Sequence, residues 1–399
     1  MCFPDSIRLT YRVNAVAYRR VRSFTMSESS EHPTSAVPLK TPRWKRYLKR
    51  TLIVVAVLAL CAGYGLKDHI RTLDSLRRIP GTNAYVMDYY VDYHMAEVRA
   101  QGIDVDHIEN SLIAVFCPRW IKPAVVQLKS AYLDEPITTI PTGEHCSTVM
   151  LHTKGGHVYF GRNFDYKHDA CLILKVHGPE GQSSVAVLDL HYLNLDRDDL
   201  DQTSLIQRLP LLFAPYYLQD GMNQYGVAVS DMTVKNVRTP DDPAKPSIIH
   251  SAAMRLILDY AKTTDEAIEL LKQYNIHFVA ETCHLMIADA TGKSVVVEFI
   301  DGELQPTATH ENWQICTNHQ ICGKSEAENC TSCSRYKLAS AELTDLHARG
   351  DAKDVMNIMQ SVSKTDHTMW SSVYDLTTGE FDFAYRQHYE NPYVDHLRN

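Results

Sequence analysis

At Cys146 the character of the chain changes, and the order of elements after that point leaves few folds open. Cys146–Thr153 alternates as a strand, Lys154-Gly155-Gly156 offers a turn, and His157–Arg162 returns, which is a β-hairpin pattern. Strands are expected at Leu172–Val176 and Ser184–Leu190, and a β-rich run at Gly226–Val234 follows a turn-like Asp220-Gly221-Met222-Asn223. Two helices come next. Ser247–Tyr260 carries Ile248, Ala252, Leu256 and Tyr260 on one face, and a second helix starts near Thr263, which has capping-box spacing to Glu266. A hairpin of His284–Asp289 and Ser294–Ile300 is followed by helical stretches at Arg335–Ala348 and Asp354–Val362. The last hairpin joins Met369–Leu376 to Glu380–Tyr385. Strand pairs alternating with helix pairs predict an α+β fold: two antiparallel sheets face to face, helices outside, in four αββα layers.

Upstream of Cys146 the chain has three parts. Residues 1–42 are polar and expected to be disordered, with Met26 as a second candidate start. Residues 43–66 combine a basic stretch, Arg43–Lys49, with a continuous apolar run from Leu52 to Leu66. That order fits an export signal or a membrane signal anchor, so the remainder is expected beyond the cytoplasm, secreted, periplasmic or luminal. Residues 67–145 read as a charged, helix-compatible connector to Ile79, then as a mostly helical stretch over 83–135 that Pro136–Gly143 breaks.

The formal net charge of −8 argues against a nucleic-acid partner. Ten cysteines in an exported chain suggest some disulfides. Cys117 lies upstream, whereas Cys322, Cys330 and Cys333 share a polar loop. Cys330 and Cys333 have no second pair at ligand spacing, so neither a metal nor another cofactor is expected. Asn329-Cys330-Thr331 is formally a glycosylation sequon.

The chemistry concentrates in Glu144-His145-Cys146-Ser147-Thr148 and, sixteen residues past the cysteine, Arg162-Asn163-Phe164-Asp165. If the hairpin pairs as read, Arg162 and Asp165 return beside the start of the first strand. A cysteine at a freshly made N-terminus needs no histidine, because its own α-amine can take the thiol proton. Arg162 would favour the thiolate, and Asp165 could hold the α-ammonium in place. An inert buried thiol is the plain alternative for Cys146.

The segment from Cys146 through Gly161-Arg162-Asn163-Phe164-Asp165-Tyr166 resembles the start of the mature catalytic chain in the choloylglycine hydrolase and acid ceramidase superfamily of N-terminal-nucleophile (Ntn) hydrolases. Gly221-Met222-Asn223-Gln224-Tyr225-Gly226, Thr317-Asn318 and Ser334-Arg335-Tyr336 match further motifs in the same order. The resemblance implies an αββα Ntn sandwich over 146–399 and a propeptide or small subunit over 67–145. It implies cleavage at His145–Cys146, with Cys146 as nucleophile, Arg162, Asp165 and Arg335 in the site, and Asn318 in the oxyanion hole. Where bile-acid enzymes carry a second oxyanion asparagine this chain has Thr233, whose backbone N–H is expected to substitute.

The implied reaction is hydrolysis of linear, non-peptide amides. The expected partners are a small N-acyl amine, lipid amides included, and a membrane through the apolar run. Rival readings are an acyltransferase on the same scaffold, a Cys/His protease using His319 or His367, and a secreted binding protein with a dead site.

Overall fold

The computed structural model describes residues 65–105, 146–178, 181–278 and 281–397. All of them belong to one unit, Cys61–Asn399. The apolar run up to Tyr64, the stretch 106–145 with Cys117, and His145 itself lie outside the described residues. Among the described residues no helix is long and apolar enough to cross a membrane.

The first elements are α1 (Lys67–Asp74), β1 (Arg77–Arg78), β2 (Ala84–Tyr89) and α2 (Met95–Gln101). After Cys146 come β3 (Ser147–His152), β4 (Val158–Asp165), β5 (Cys171–His177), β6 (Ser183–Asp189), β7 (Asp220–Asn223) and β8 (Ala228–Thr233). A short β9 (Ser247–Ile249) leads into α3 (His250–Tyr260), α4 (Thr264–Leu271) and β10 (Asn275–His277). Then follow β11 (Cys283–Ala288), β12 (Ser294–Ile300), β13 (Glu303–Ala308) and β14 (Trp313–Cys316). The chain closes with α5 (Glu326–Ser332), α6 (Ser334–Asp345), α7 (Ala352–Ser361), β15 (Thr368–Asp375), β16 (Glu380–Tyr385) and β17 (Tyr393–His396).

The strands form a nine-stranded sheet, β1-β2-β5-β6-β7-β8-β11-β12-β13, and a six-stranded sheet, β14-β3-β4-β15-β16-β17. One apolar core lies between the larger sheet and α3 and α4. A second fills the space between the sheets and continues beneath α6 and α7. That is the expected four-layer order. Strand β5 shows why its sequence is almost continuously apolar: Leu172, Leu174 and Val176 face the first core, Cys171 and Ile173 the second.

Three expectations change. Residues 84–89, read as helical, form β2, which pairs in parallel with β5 and makes the larger sheet mixed. Its Ala-Tyr-Val-Met-Asp-Tyr sequence is buried at five of six positions, so sheet packing overrides a weak helical pattern. Asp220–Asn223 is a strand, not a turn. The backbone comes too close there for a side chain: a Cβ on Gly221 would meet Val185 O at 2.8 Å and Leu258 Cδ1 at 2.9 Å. The reversal falls instead at Gly226, whose φ is +77°. Finally, Cys171, Cys316, Cys322, Cys330 and Cys333 stand as thiols, not in the expected disulfides.

Gly161 has a comparable packing role beside the site. An added Cβ would lie 2.8 Å from Val355 Cγ1 and 3.1 Å from Met359 Cγ, so α7 can seat on β4 only over a hydrogen. Gly161→Ala should therefore overpack this contact and destabilise the fold by about 1–3 kcal/mol. Urea unfolding checks this, and an unchanged midpoint would contradict it.

Candidate active site

Pairing in the first hairpin sets the geometry. Strands β3 and β4 are antiparallel, with Ser147 opposite Asn163 and Thr148 opposite Arg162. Cys146, one residue before β3, is therefore carried to the end of β4 that holds Arg162 and Asp165. All three are buried, at 1%, 0% and 1% relative exposure.

A fully buried guanidinium needs compensating charge. Arg162 Nη2 donates to Asp231 Oδ1 at 3.2 Å, and Nε lies 3.9 Å from Asp220 Oδ2. Burial alone would lower the pKa of Arg162. Its interactions with Cys146, Asp231 and Asp220 outweigh that and raise it, so the cation beside the thiol is permanent. Asp220 is itself fixed by Trp370 Nε1 at 2.9 Å, Ser372 Oγ at 3.1 Å and the Tyr374 hydroxyl.

Arg335, the second residue of α6, joins the remaining groups. Its Nη1 donates to the Cys146 carbonyl oxygen at 2.6 Å and lies 3.8 Å from Asp165 Oδ2; its Nη2 donates to Asn318 Oδ1 at 2.8 Å. Asn318 Nδ2 donates to Thr233 O at 2.9 Å. Since an arginine can only donate and a carbonyl only accept, these contacts fix the amide orientation, and the second Nδ2 proton can be offered to a ligand. Thr233 turns its carbonyl toward Asn318 and thereby orients the amide.

The turn carrying Asn318 is held from below. Buried His284 donates through Nε2 to Thr317 O at 2.7 Å and meets Glu298 Oε1 through Nδ1 at 3.1 Å. Glu298 also accepts from the backbone N–H groups of Ile321 and Cys322. Burial pushes against ionisation of Glu298, but these hydrogen bonds prevail and hold it below its ordinary range.

The structure thus brings Cys146, Arg162, Asp165, Asn318, Arg335 and Thr233 together. It does not bring His319 to them. The ring nitrogens of His319 are engaged by Thr317 Oγ1 at 2.8 Å and Asn329 Oδ1 at 3.2 Å. Tyr166 N donates to the His367 backbone carbonyl. Asn329 of the sequon is buried at 3%, which leaves no room for a glycan on this fold. Cys333 has an unexpected character: burial raises its thiol, yet hydrogen bonds involving His319 and Thr317 bring it down to about 6.

The sequence reading missed Asp220 and Asp231. A usable signal was present: each is a charge within a strand that is otherwise buried, and a buried charge requires a partner.

Residues 214–389 match the family model "Acyl-coenzyme A:6-aminopenicillanic acid acyl-transferase". A curated relative, penicillin V acylase of Pectobacterium atrosepticum, is 30% identical over 111 residues, 25% of this chain and 29% of that protein's length. The alignment thus spans under a third of that relative. Among solved structures, penicillin V acylase from Agrobacterium tumefaciens aligns with TM-score 0.45 and 19% identity, covering 62% of this chain and 84% of that one. A variant of conjugated bile acid hydrolase from Clostridium perfringens aligns with TM-score 0.46 and 17% identity, covering 63% and 91%. Structural likenesses of that size add nothing to the strand topology already described.

Asp165 makes the site sensitive to pH. Burial pushes its carboxyl up to about 6, against the Thr368 hydrogen bond and the attraction of Arg335, Arg162 and Lys364. A folded chain that holds this proton more tightly than the unfolded chain, where the value is about 3.9, is favoured at low pH. The advantage is lost as pH rises through about 6. In the uncut chain carrying Cys146→Ala, Asp165→Asn should shift relative stability in the variant's favour by on the order of 2–3 kcal/mol between about pH 4 and pH 7. Equal stability differences at the two pH values in urea melts would contradict this. Over residues 214–389 the chain is thus similar to the acyl-transferase family whose model it matches, and over part of its length to penicillin V acylase.

Proposed function

We propose that this chain is a cysteine Ntn amidase that hydrolyses N-acyl amines and is activated by cleavage of the His145–Cys146 bond. One observation carries the reading. Asp165 Oδ2 is buried and accepts no hydrogen bond among the described residues, and Arg335 Nη1 bridges it to the backbone of Cys146. A buried carboxylate oxygen left without a donor is costly. An α-ammonium created at Cys146 would supply that donor and lower the Asp165 pKa.

In the proposed cycle the free α-amine takes the thiol proton, and Arg162 steadies the resulting thiolate. The sulfur attacks the amide carbonyl, and Asn318 donates its second Nδ2 proton to the oxyanion. The C–N bond breaks as the amine leaves with a proton from the α-ammonium. Water then attacks the thioester, returning the carboxylic acid and the thiol. Lipid amides, including ceramide-like and N-acylethanolamine types, are the substrates we favour within this class. The basic-then-apolar order of residues 43–66, read as an export signal, and the long segment ahead of Cys146 support that choice. Capture of the acyl group by an added amine would identify an acyltransferase instead.

Intact mass and N-terminal sequencing test activation. A large fragment beginning Cys146-Ser147-Thr148 is expected, and Cys146→Ala should remain one chain. Because β2 lies inside the larger sheet, both fragments should co-elute in native size exclusion and separate only in denaturant. An active, uncut wild-type protein would overturn the proposal. Labelling by an acyl-directed thiol probe at Cys333 in place of Cys146 would favour the Cys/His reading.

Asn318→Ala should lower kcat by about 10²–10³-fold, the usual cost of one oxyanion donor, with little change in KM. Steady-state kinetics on an N-acyl amine decide this. An effect confined to KM would remove Asn318 from the oxyanion role.

A further inference from the structure

Asp231 faces two ways. Its Oδ1 accepts from Arg162, while its Oδ2 lies 3.4 Å from Nε2 of His250 at the start of α3. Cys283 opens β11 opposite Thr233, and Asp231 is opposite Leu285, so Asp231 and Cys283 are diagonal neighbours on adjacent strands. A carboxylate oxygen, a ring nitrogen and the thiol sulfur of these three residues all lie within 4.8 Å of one another. The ring faces Asp231 through Nε2, the nitrogen placed to share an ion with that carboxylate, while Nδ1 is buried with no hydrogen-bond partner among the described residues. The His250 side chain is 15% exposed, which gives a path from solvent to a cluster otherwise buried.

We propose that Asp231, His250 and Cys283 form a binding site for one zinc ion, with water completing the coordination. Thiolate, imidazole and carboxylate together suit Zn²⁺, whereas Mg²⁺ and Ca²⁺ take oxygen ligands. The 3.4 Å between Asp231 and His250 equals the edge of a tetrahedron with bonds of about 2.1 Å. The widest edge needs to close by roughly 1 Å to reach zinc–thiolate geometry. As the S–Zn bond forms, the Cys283 thiol gives its proton to solvent.

A second cluster, His168, His191 and Asp196, is a poorer candidate. Its two rings stack in parallel with centroids 3.6 Å apart, so a shared ion would sit out of both ring planes.

Zinc on Oδ2 would leave Oδ1 on Arg162 while drawing charge from the carboxylate. The site would thus adjust how strongly Arg162 acts on Cys146, without touching substrate.

The test uses the chelator-treated full chain carrying Cys146→Ala, so that zinc on that thiol is not counted. Calorimetric titration with Zn²⁺ should give one ion per chain, and Co²⁺ should give a thiolate-to-cobalt charge-transfer band. Cys283→Ser should abolish the band and weaken zinc by more than about tenfold. His250→Gln should weaken zinc comparably and keep the band. Thermal melts confirm that both variants retain the parent fold. Absence of stoichiometric binding by the parent, unchanged affinity in both variants, or a cobalt band surviving Cys283→Ser would overturn the proposal.

Discussion

The buried guanidinium of Arg162 is the constraint on which the site depends. A cation fully removed from water is tolerated only where opposite charge is built around it. Here β7 supplies Asp220 and β8 supplies Asp231, so the charge is compensated from the opposite sheet. The demand propagates outward, because Asp220 is held by three donors on β15, the strand next to β4 in the other sheet. One charge thereby ties the two sheets together at the position where Cys146 enters β3.

Around that charge the remaining groups fall into two sets. Asp165, Arg335 and Asn318 form a chain of contacts across the backbone of Cys146, while His284 and Glu298 lie behind and fix the turn that carries Asn318. The first set is where chemistry is proposed. The second is wholly buried and acts by holding the first in register. Between the sheets, Thr148 Oγ1 and Ser230 Oγ lie 2.9 Å apart, adding a neutral polar link beside the charged one.

Residues 65–105 belong to the same body. Strand β2 occupies a place beside β5 in the larger sheet, and Arg208 Nη1 donates to Leu73 O in α1. Loss of this segment would bare the β5 edge and part of the first core. A parallel strand whose Ala84 pairs with Cys171, nearly ninety residues on, makes a tertiary contact, so nothing local in Ala84–Tyr89 announced it.

By itself the sequence determined the hairpins, the helix pairs and the set Cys146, Arg162, Asp165, Asn318 and Arg335. Turn glycines and period-two alternation are local signals that local physics suffices to read, whereas Asn318 and Arg335 came through ordered motifs that resemble a known family. Only the tertiary structure decided what each charge meets. It paired Arg162 with Asp220 and Asp231, turned Asp220–Asn223 into a strand, and presented the carbonyl of Thr233 toward Asn318. Each of those outcomes depends on which strand lies alongside which, and on the cost of leaving a buried charge or dipole without a partner. That cost is set by neighbours distant in sequence, and so it is fixed when the sheets close on one another.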